Sequence, residues 1–284
     1  MKPKRILITG HDSYIGVSFE KWCNTFKDDY IVDTIDLIGD NWMSYSFSDY
    51  DVVLHVSGIV HSKETKKKKS LYYEVNTELS KKTALKAKNE GVKQFIFLST
   101  MSIYGIEKGN IDLFTKPHPT SSYGKSKLEA EKHIRALECD SFKVAVLRPP
   151  MVYGRGCKGN YPLMVKFIKL SPVFPLVDNL RSMIFIDNLC EFLRLLVDTG
   201  NSGLYFPQNK EYICITDMAK EIAKAHNKKL IFIKWLTPLM KLTHFKKTNT
   251  RFANLIYNKN ISITDFEYCV VDFEKSIIMT ENGD

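Results

Sequence analysis

The chain has 284 residues, 44% of them hydrophobic and 26% charged, with a formal net charge of +9. The length suits one large α/β domain, or a domain plus a smaller lobe, and the composition is that of an ordinary soluble globular protein rather than a disordered or fibrous one. The charge hints at an anionic partner, whereas the six scattered cysteines lack both the paired spacing of a zinc site and the density of a disulfide framework, and fit a reducing, cytoplasmic setting.

Lysines and Pro3 lead into Ile6-Leu7-Ile8, but this apolar run ends at Thr9-Gly10, too short for an export segment. No apolar run approaches the roughly 18 residues of a membrane span. The most apolar late segment, Leu230 to Leu242, is broken by Lys234, Pro238 and Lys241; peripheral association with a membrane enzyme complex stays open without being indicated. Strands are expected at Arg5–Thr9, Tyr30–Asp36, Val52–Val56, Gln94–Ser99 and Lys143–Arg148, and helices between them at Ser13–Lys27, Leu71–Asn89 and Ser122–Leu137. Strands apolar on consecutive positions, such as Phe95-Ile96-Phe97-Leu98, belong in a parallel sheet covered on both faces. The fold class is therefore α/β, a Rossmann-type doubly wound parallel sheet with a smaller C-terminal substrate lobe. Residues 1–150 are assigned to the dinucleotide-binding domain, with late contributions from about 183–206, and 151–284 mainly to the lobe. In that lobe helices are expected at Asp187–Val197 and Thr216–Ala225, the second capped by Thr216. The run Lys66-Lys67-Lys68-Lys69 reads as a solvated loop, and without interleaved aromatics it gives no support to nucleic-acid binding.

After the first strand comes Thr9-Gly10-His11-Asp12-Ser13-Tyr14-Ile15-Gly16, a glycine turn entering a helix, where backbone amides can meet a pyrophosphate. Asp36, ending the second strand, can accept hydrogen bonds from a ribose diol and biases the choice toward NAD over NADP. Tyr123 and Lys127 share a helix face at i and i+4, and a lysine there is expected to lower the phenol's pKa toward neutrality. His55, His61 and His118 lack a close carboxylate pattern, so no metal is assigned. Trp22, Trp42 and Trp235 read as packing residues.

These motifs resemble the extended short-chain dehydrogenase/reductase family, and within it the NAD-dependent nucleotide-sugar epimerase/dehydratase group, over Thr9 to about Leu189. The family's TGxxGxxG turn is matched except at its middle glycine, here Ser13, a change expected to displace the helix slightly from the pyrophosphate. The resemblance implies cofactor contacts at Gly10, Ser13, Tyr14, Ile15, Gly16, Asp36, at Val56-Ser57-Gly58 after the third strand, at Asn76, Tyr123 and Lys127, and at Pro150 in Leu147-Arg148-Pro149-Pro150. It makes Thr100, Tyr123 and Lys127 the catalytic triad, with Asn76 propping the site. Thr100, Asn160 and Arg181 become substrate contacts, Arg181 on a diphosphate.

Dehydratases of the group carry an Asp-Glu pair directly after the threonine, and decarboxylating members a glutamate at the second position. Here Met101 and Ser102 stand there, and neither serves as a general acid or base, which argues against both chemistries. The resemblance thus implies an NAD-dependent 4-epimerase acting on a UDP-hexose or UDP-N-acetylhexosamine. The alternatives are an NAD(P)H-dependent 4-keto reductase of a UDP-deoxysugar in surface-polysaccharide synthesis and, from another class, a non-catalytic dinucleotide-binding regulator. A homodimer joined through the helices around Leu71–Asn89 and Ser122–Leu137 is also implied.

Overall fold

The computed structural model describes residues 2–60, 66–235 and 252–283, so His61 and the part of Leu230–Leu242 beyond Trp235 lie outside the described residues. In chain order the strands are β1 (Lys4–Thr9), β2 (Tyr30–Ile35), β3 (Val52–His55), β4 (Gln94–Leu98), β5 (Gly109–Ile111), β6 (Lys143–Leu147), β7 (Met151–Tyr153), β8 (Val173–Pro175), β9 (Met183–Phe185), β10 (Gly203–Tyr205), β11 (Ile231–Ile233) and β12 (Leu255–Tyr257). The helices are α1 (Tyr14–Cys23), α2 (Lys66–Tyr72), α3 (Ser80–Asn89), α4 (Ser122–Arg135), α5 (Asn160–Leu170), α6 (Ile186–Thr199), α7 (Ile215–Ala225) and α8 (Phe273–Asn282). A π-helical segment, Tyr73–Leu79, joins α2 to α3.

The chain divides into two compact units. The first comprises Met1–Gly105, Lys116–Pro149 and Cys190–Pro207. It is built on a six-stranded sheet in the order β10-β6-β4-β3-β1-β2, every pair parallel. Both faces are covered, as the consecutive apolar residues require. Leu7, Val53, Phe95, Phe97, Val144 and Val146 pack with Trp42, Phe47, Ala130 and Ile134 in one core cluster, while Ile6, Ile8, Leu54, Ile96 and Ala145, on alternate positions, are wholly buried as well. Each large apolar side chain so buried contributes about 1.5–3 kcal/mol relative to exposure. Chain direction across the sheet reverses between β1 and β3, and the carboxyl ends of the strands flanking such a switch point are where open α/β sheets hold ligands.

The second unit comprises Ile106–Thr115, Pro150–Leu189 and Gln208–Asp284. Three two-stranded parallel pairs, β8 with β11, β5 with β12 and β7 with β9, organise it. Its interior is fastened by Tyr153, whose hydroxyl pairs with Ser276 Oγ at 2.7 Å and accepts from Asn209 Nδ2 at 3.0 Å. Residues 106–115 belong here rather than with the sheet because β5 finds its partner in β12.

Several local expectations are corrected. The lysine run is the start of α2 rather than a loop. The helix expected over Leu71–Asn89 is interrupted by the π-helical segment, and the first helix stops at Cys23, followed by a 3₁₀ turn. Thr216 is not the cap of α7. That helix starts at Ile215, with Cys214 at the N-cap and no side-chain cap bond. Thr216 instead donates to Val177 O at 2.6 Å and accepts from Val177 N at 2.8 Å, satisfying buried backbone groups that have a stronger claim than a helix end open to water. Trp42 is buried as expected, but Trp235 is 67% exposed.

Candidate active site

In the first unit, the turns leaving β1, β2 and β3 surround a cavity of about 1050 Å³. Gly10 bends the chain out of β1 at φ +94°, and a Cβ there would lie 3.0 Å from Ser57 Oγ. Ser13 is the N-cap of α1, its Oγ accepting from Gly16 N–H at 3.0 Å. The residue that departs from the glycine fingerprint therefore fastens the helix start, a role a glycine side chain could not take. Gly16 is required because a Cβ there would overlap Ser13 Oγ and lie 3.0 Å from Ile8 Cγ2, so α1 sits directly on the sheet. Asp36 accepts from His11 N–H at 3.1 Å at the cavity edge.

Gly10, Ser13, Asp36, Val56, Ser57 and Gly58 all line this cavity, whereas Tyr14, Ile15, Gly16, Asn76, Tyr123, Lys127 and Pro150 do not. A glycine turn, a helix N-terminus and a carboxylate just past the end of β2 around one crevice fit a dinucleotide. Sequence reasoning passed over the rest of the charged lining, Asp12, Asp40, Glu74, Glu78 and Lys82.

α4 carries Tyr123 and Lys127, two of the three residues expected to react. Ser121 caps it by accepting from Gly124 N–H at 3.1 Å, and Gly124 lets its first turn approach the Ser102 carbonyl, 2.8 Å from where a Cβ would stand. Tyr123, Lys127 and Glu131 follow at i, i+4 and i+8, all buried. Thr100 hydrogen-bonds the Tyr123 phenol, and its Oγ1 also accepts from Ser102 N–H at 3.1 Å, so it is both a turn cap and a partner of the tyrosine.

Lys127 Nζ donates to Leu98 O at 2.8 Å and lies 4.6 Å from the Phe97 ring centroid. It reaches the cavity edge at Gly58, where a Cβ would stand 3.3 Å from Nζ and 3.0 Å from Asn76 Oδ1. Asn76 itself is fully buried, accepting from Ile59 N–H at 2.8 Å and donating to Ile59 O and Ser126 Oγ, each at 3.2 Å. The wide π-helical segment sets it there, a distortion typical of functional positions.

Burial, not the lysine, dominates the tyrosine. It pushes Tyr123 up to about 12, with the Thr100 hydrogen bond pulling the other way. Burial also drives Lys127 down from 10.5 to about 8, opposed by Glu131. The expectation that Lys127 brings the phenol toward neutrality is thus corrected: desolvation dominates both groups, with Thr100 opposing it at Tyr123 and Glu131 at Lys127.

Glu131 was the largest omission of the sequence reading. It accepts from Arg148 Nη2 at 2.6 Å and Nε at 3.1 Å, and from the Ser99 hydroxyl, while Arg148 Nη1 donates to Tyr104 OH at 2.8 Å. A continued i+4 step from Lys127 was its sequence signal. His55 behaves as a packing residue, bonded to Thr9 and Ser80 at 2.8 Å each, stacked against Phe95 and Phe97, and held neutral by burial, which lowers it to about 3. Among the described residues there is no group of three or more His, Cys, Asp or Glu arranged to hold a metal.

In the second unit, Asn160 and Arg181 line one cavity of about 410 Å³, walled by Met151, Phe167, Phe174 and Phe252. Arg181 is fixed by its backbone to Ile213, 3.0 and 2.9 Å, and its Nη1 donates to Ala253 O at 3.0 Å. Burial lowers its pKa.

Residues 6–206 match the sequence profile of the NAD dependent epimerase/dehydratase family. The UDP-glucose 4-epimerase of Vibrio cholerae is 30% identical over 255 residues, 80% of this chain and 77% of that one. An Escherichia coli O157:H7 protein, N-acetyl-alpha-D-glucosaminyl-diphospho-ditrans,octacis-undecaprenol 4-epimerase, is 28% identical over 169 residues, 57% of this chain and 51% of that one. The crystal structure of UDP-glucuronic acid 4-epimerase from Bacillus cereus, in complex with NAD, superposes with a TM-score of 0.75 over 98% of each chain, at 18% identity, a likeness of fold.

Proposed function

Because the chain belongs to the NAD-dependent epimerase/dehydratase family, we propose that it is a 4-epimerase of a nucleoside-diphosphate sugar, a UDP-hexose or UDP-N-acetylhexosamine. The observation that carries this reading is the Thr100–Tyr123 hydrogen bond one helical turn from buried Lys127, next to positions where Met101 and Ser102 supply no second acid or base. Gly10, Ser13, Asp36, Ser57 and Gly58 would hold NAD in the cavity of the first unit, where it would supply a reversible hydride acceptor. Tyr123 removes the proton of the sugar's 4-hydroxyl and gives it back to the 4-keto sugar after that intermediate has turned over, while Thr100 orients the reacting oxygen. Lys127, buried one helical turn from Tyr123, is the cation of this reading, while the Thr100 hydrogen bond is what opposes the burial that resists ionisation of the phenol. Arg181 holds the diphosphate in the second unit, with Asn160 beside it.

Incubation with paired UDP-sugars and catalytic NAD is expected to interconvert the 4-epimers without net NADH formation. Stoichiometric consumption of NADH or NADPH with a 4-keto sugar would assign the reductase alternative instead. Tyr123→Phe is expected to abolish turnover while keeping dinucleotide binding; unchanged turnover would refute the proton-carrier role and leave the regulator reading. A homodimer along α3 and α4 belongs to the same proposal, and sedimentation as a monomer alone removes it.

A further inference from the structure

α5 departs from the other surface helices of the second unit. α7 turns Asp217, Lys220 and Lys224 to solvent and keeps Met218, Ala219 and Ile222 inside. α5 also buries one side, at Tyr161 and Ile168, yet it exposes Leu163 by 58%, Phe167 by 41% and Leu170 by 75% at i, i+4 and i+7. A helix apolar on both sides lacks, among the described residues, a partner on one of them.

The surroundings say what that partner is. Residues 156–177 contain Lys158, Lys166 and Lys169 and no Asp or Glu, and residues 225–235 add Lys228, Lys229 and Lys234, again with no Asp or Glu. The structure brings these two segments together. β11 pairs with β8, and Lys228 Nζ closes the end of α5 on the carbonyls of Ile168 and Lys169 at 2.6 Å each. The second segment also presents Ile231, 63% exposed, and Trp235, 67% exposed. A second copy of this face, paired by a two-fold axis, would set lysines against lysines with no carboxylate in either segment to answer them. A nucleic acid would answer the lysines but not the apolar stripe. An anionic bilayer answers both, since acyl chains take the stripe, lysine stems extend their charges to headgroup phosphates, and tryptophan favours the interface.

We propose that the α5–β11 face docks the protein on an anionic membrane surface, lying in the interface plane. No helix among the described residues is long and apolar enough to cross a membrane, and docking needs none. Leu163 and Phe167 belong both to this face and to the wall of the cavity holding Arg181, so docking sets that cavity against the headgroup layer.

The test is sedimentation of the whole chain with vesicles of phosphatidylcholine containing phosphatidylglycerol, against phosphatidylcholine alone, with no nucleotide or sugar present. The outcome is therefore independent of the epimerase reading. The protein is expected to pellet with the anionic vesicles and to be released by salt. Each lysine near the surface is worth about fivefold in partitioning, so K166Q/K169Q lowers binding about 25-fold. Leu170→Glu, outside the cavity wall, is expected to lose binding, while Leu113→Ser, 74% exposed in another segment, keeps it. Far-UV circular dichroism checks that each variant folds. Equal partitioning into neutral and anionic vesicles overturns the proposal. So does an absence of binding, or a concentration-dependent self-association that Leu170→Glu abolishes.

Discussion

Lys127 carries the strongest single constraint at the scale of one residue. With an ordinary value of 10.5 in the unfolded chain and about 8 in the fold, it is protonated in both states below about pH 8. There the fold bears the full cost of a buried ammonium, about 3 kcal/mol. Between about 8 and 10.5 the folded state has released a proton the unfolded chain still holds, so this contribution to stability rises with pH. The same group predicts a limb near pH 8 in the pH–rate profile. Glu131→Gln removes the attraction opposing deprotonation and is expected to move that limb to lower pH. The change also strands Arg148 in the interior, at a cost of about 3–5 kcal/mol. The double variant E131Q/R148M removes the stranded cation, and its profile should show the same acid shift in a stable protein. An unmoved limb in the double variant would mean that Glu131 serves packing alone.

At the scale of elements, the contact between the loop after β3 and the π-helical segment is close enough to test by one methyl group. Gly58→Ala places a Cβ 3.0 Å from Asn76 Oδ1 and 3.3 Å from Lys127 Nζ. The overpacking is expected to cost about 1–3 kcal/mol by denaturant titration, with turnover falling more steeply because both neighbours serve the reacting group. Ser13→Ala, removing the α1 cap, is expected to lose about 1 kcal/mol, and Ser13→Gly only a few tenths. The five strands from β1 to β6 that carry this site, β5 aside, were legible in the sequence within a residue or so at each end, because a strand covered on both faces must be apolar throughout. The π-helical segment was not legible, since one widened turn leaves the helical pattern of Leu71–Asn89 intact. Thr216 misled because its capping chemistry and its actual bonds to Val177 use the same hydroxyl. Sequence order brought Thr100, Tyr123 and Lys127 together, but their ionisation depends on burial, which no motif states. Glu131 shows the converse, a charge no motif singled out that is 2% exposed.

The whole molecule bears on which dinucleotide binds. Around the cavity of the first unit stand Asp12, Asp36, Asp40, Glu74 and Glu78 against the single cation Lys82. A 2′-phosphate would meet this excess of negative charge. NAD is expected to bind at least about tenfold more tightly than NADP, a difference of about 1.4 kcal/mol, and Asp36→Ala to narrow the gap. Fluorescence titration with both reduced cofactors measures it, and equal affinity for the two would sink the assignment of Asp36 to the ribose. The +9 net charge of the chain does not reveal this local reversal, because the lysine excess and the acidic cavity lie on different segments.

The division into units also governs the order in which the protein can be completed during synthesis. The edge of the large sheet opposite β2 is β10, Gly203–Tyr205, which pairs with β6 more than fifty positions upstream. Gln94, in the middle of the sheet, donates from Nε2 to the carbonyls of Leu196 and Asn201, and Lys4 from Nζ to Val197. A nascent chain halted at Pro149 would therefore emerge from the ribosome with the Lys4 and Gln94 side chains lacking these carbonyl acceptors, and with the edge of β6 open to pairing with another chain. The site at the carboxyl ends of the strands is encoded early, but the frame that holds it closes only when translation has passed Pro207.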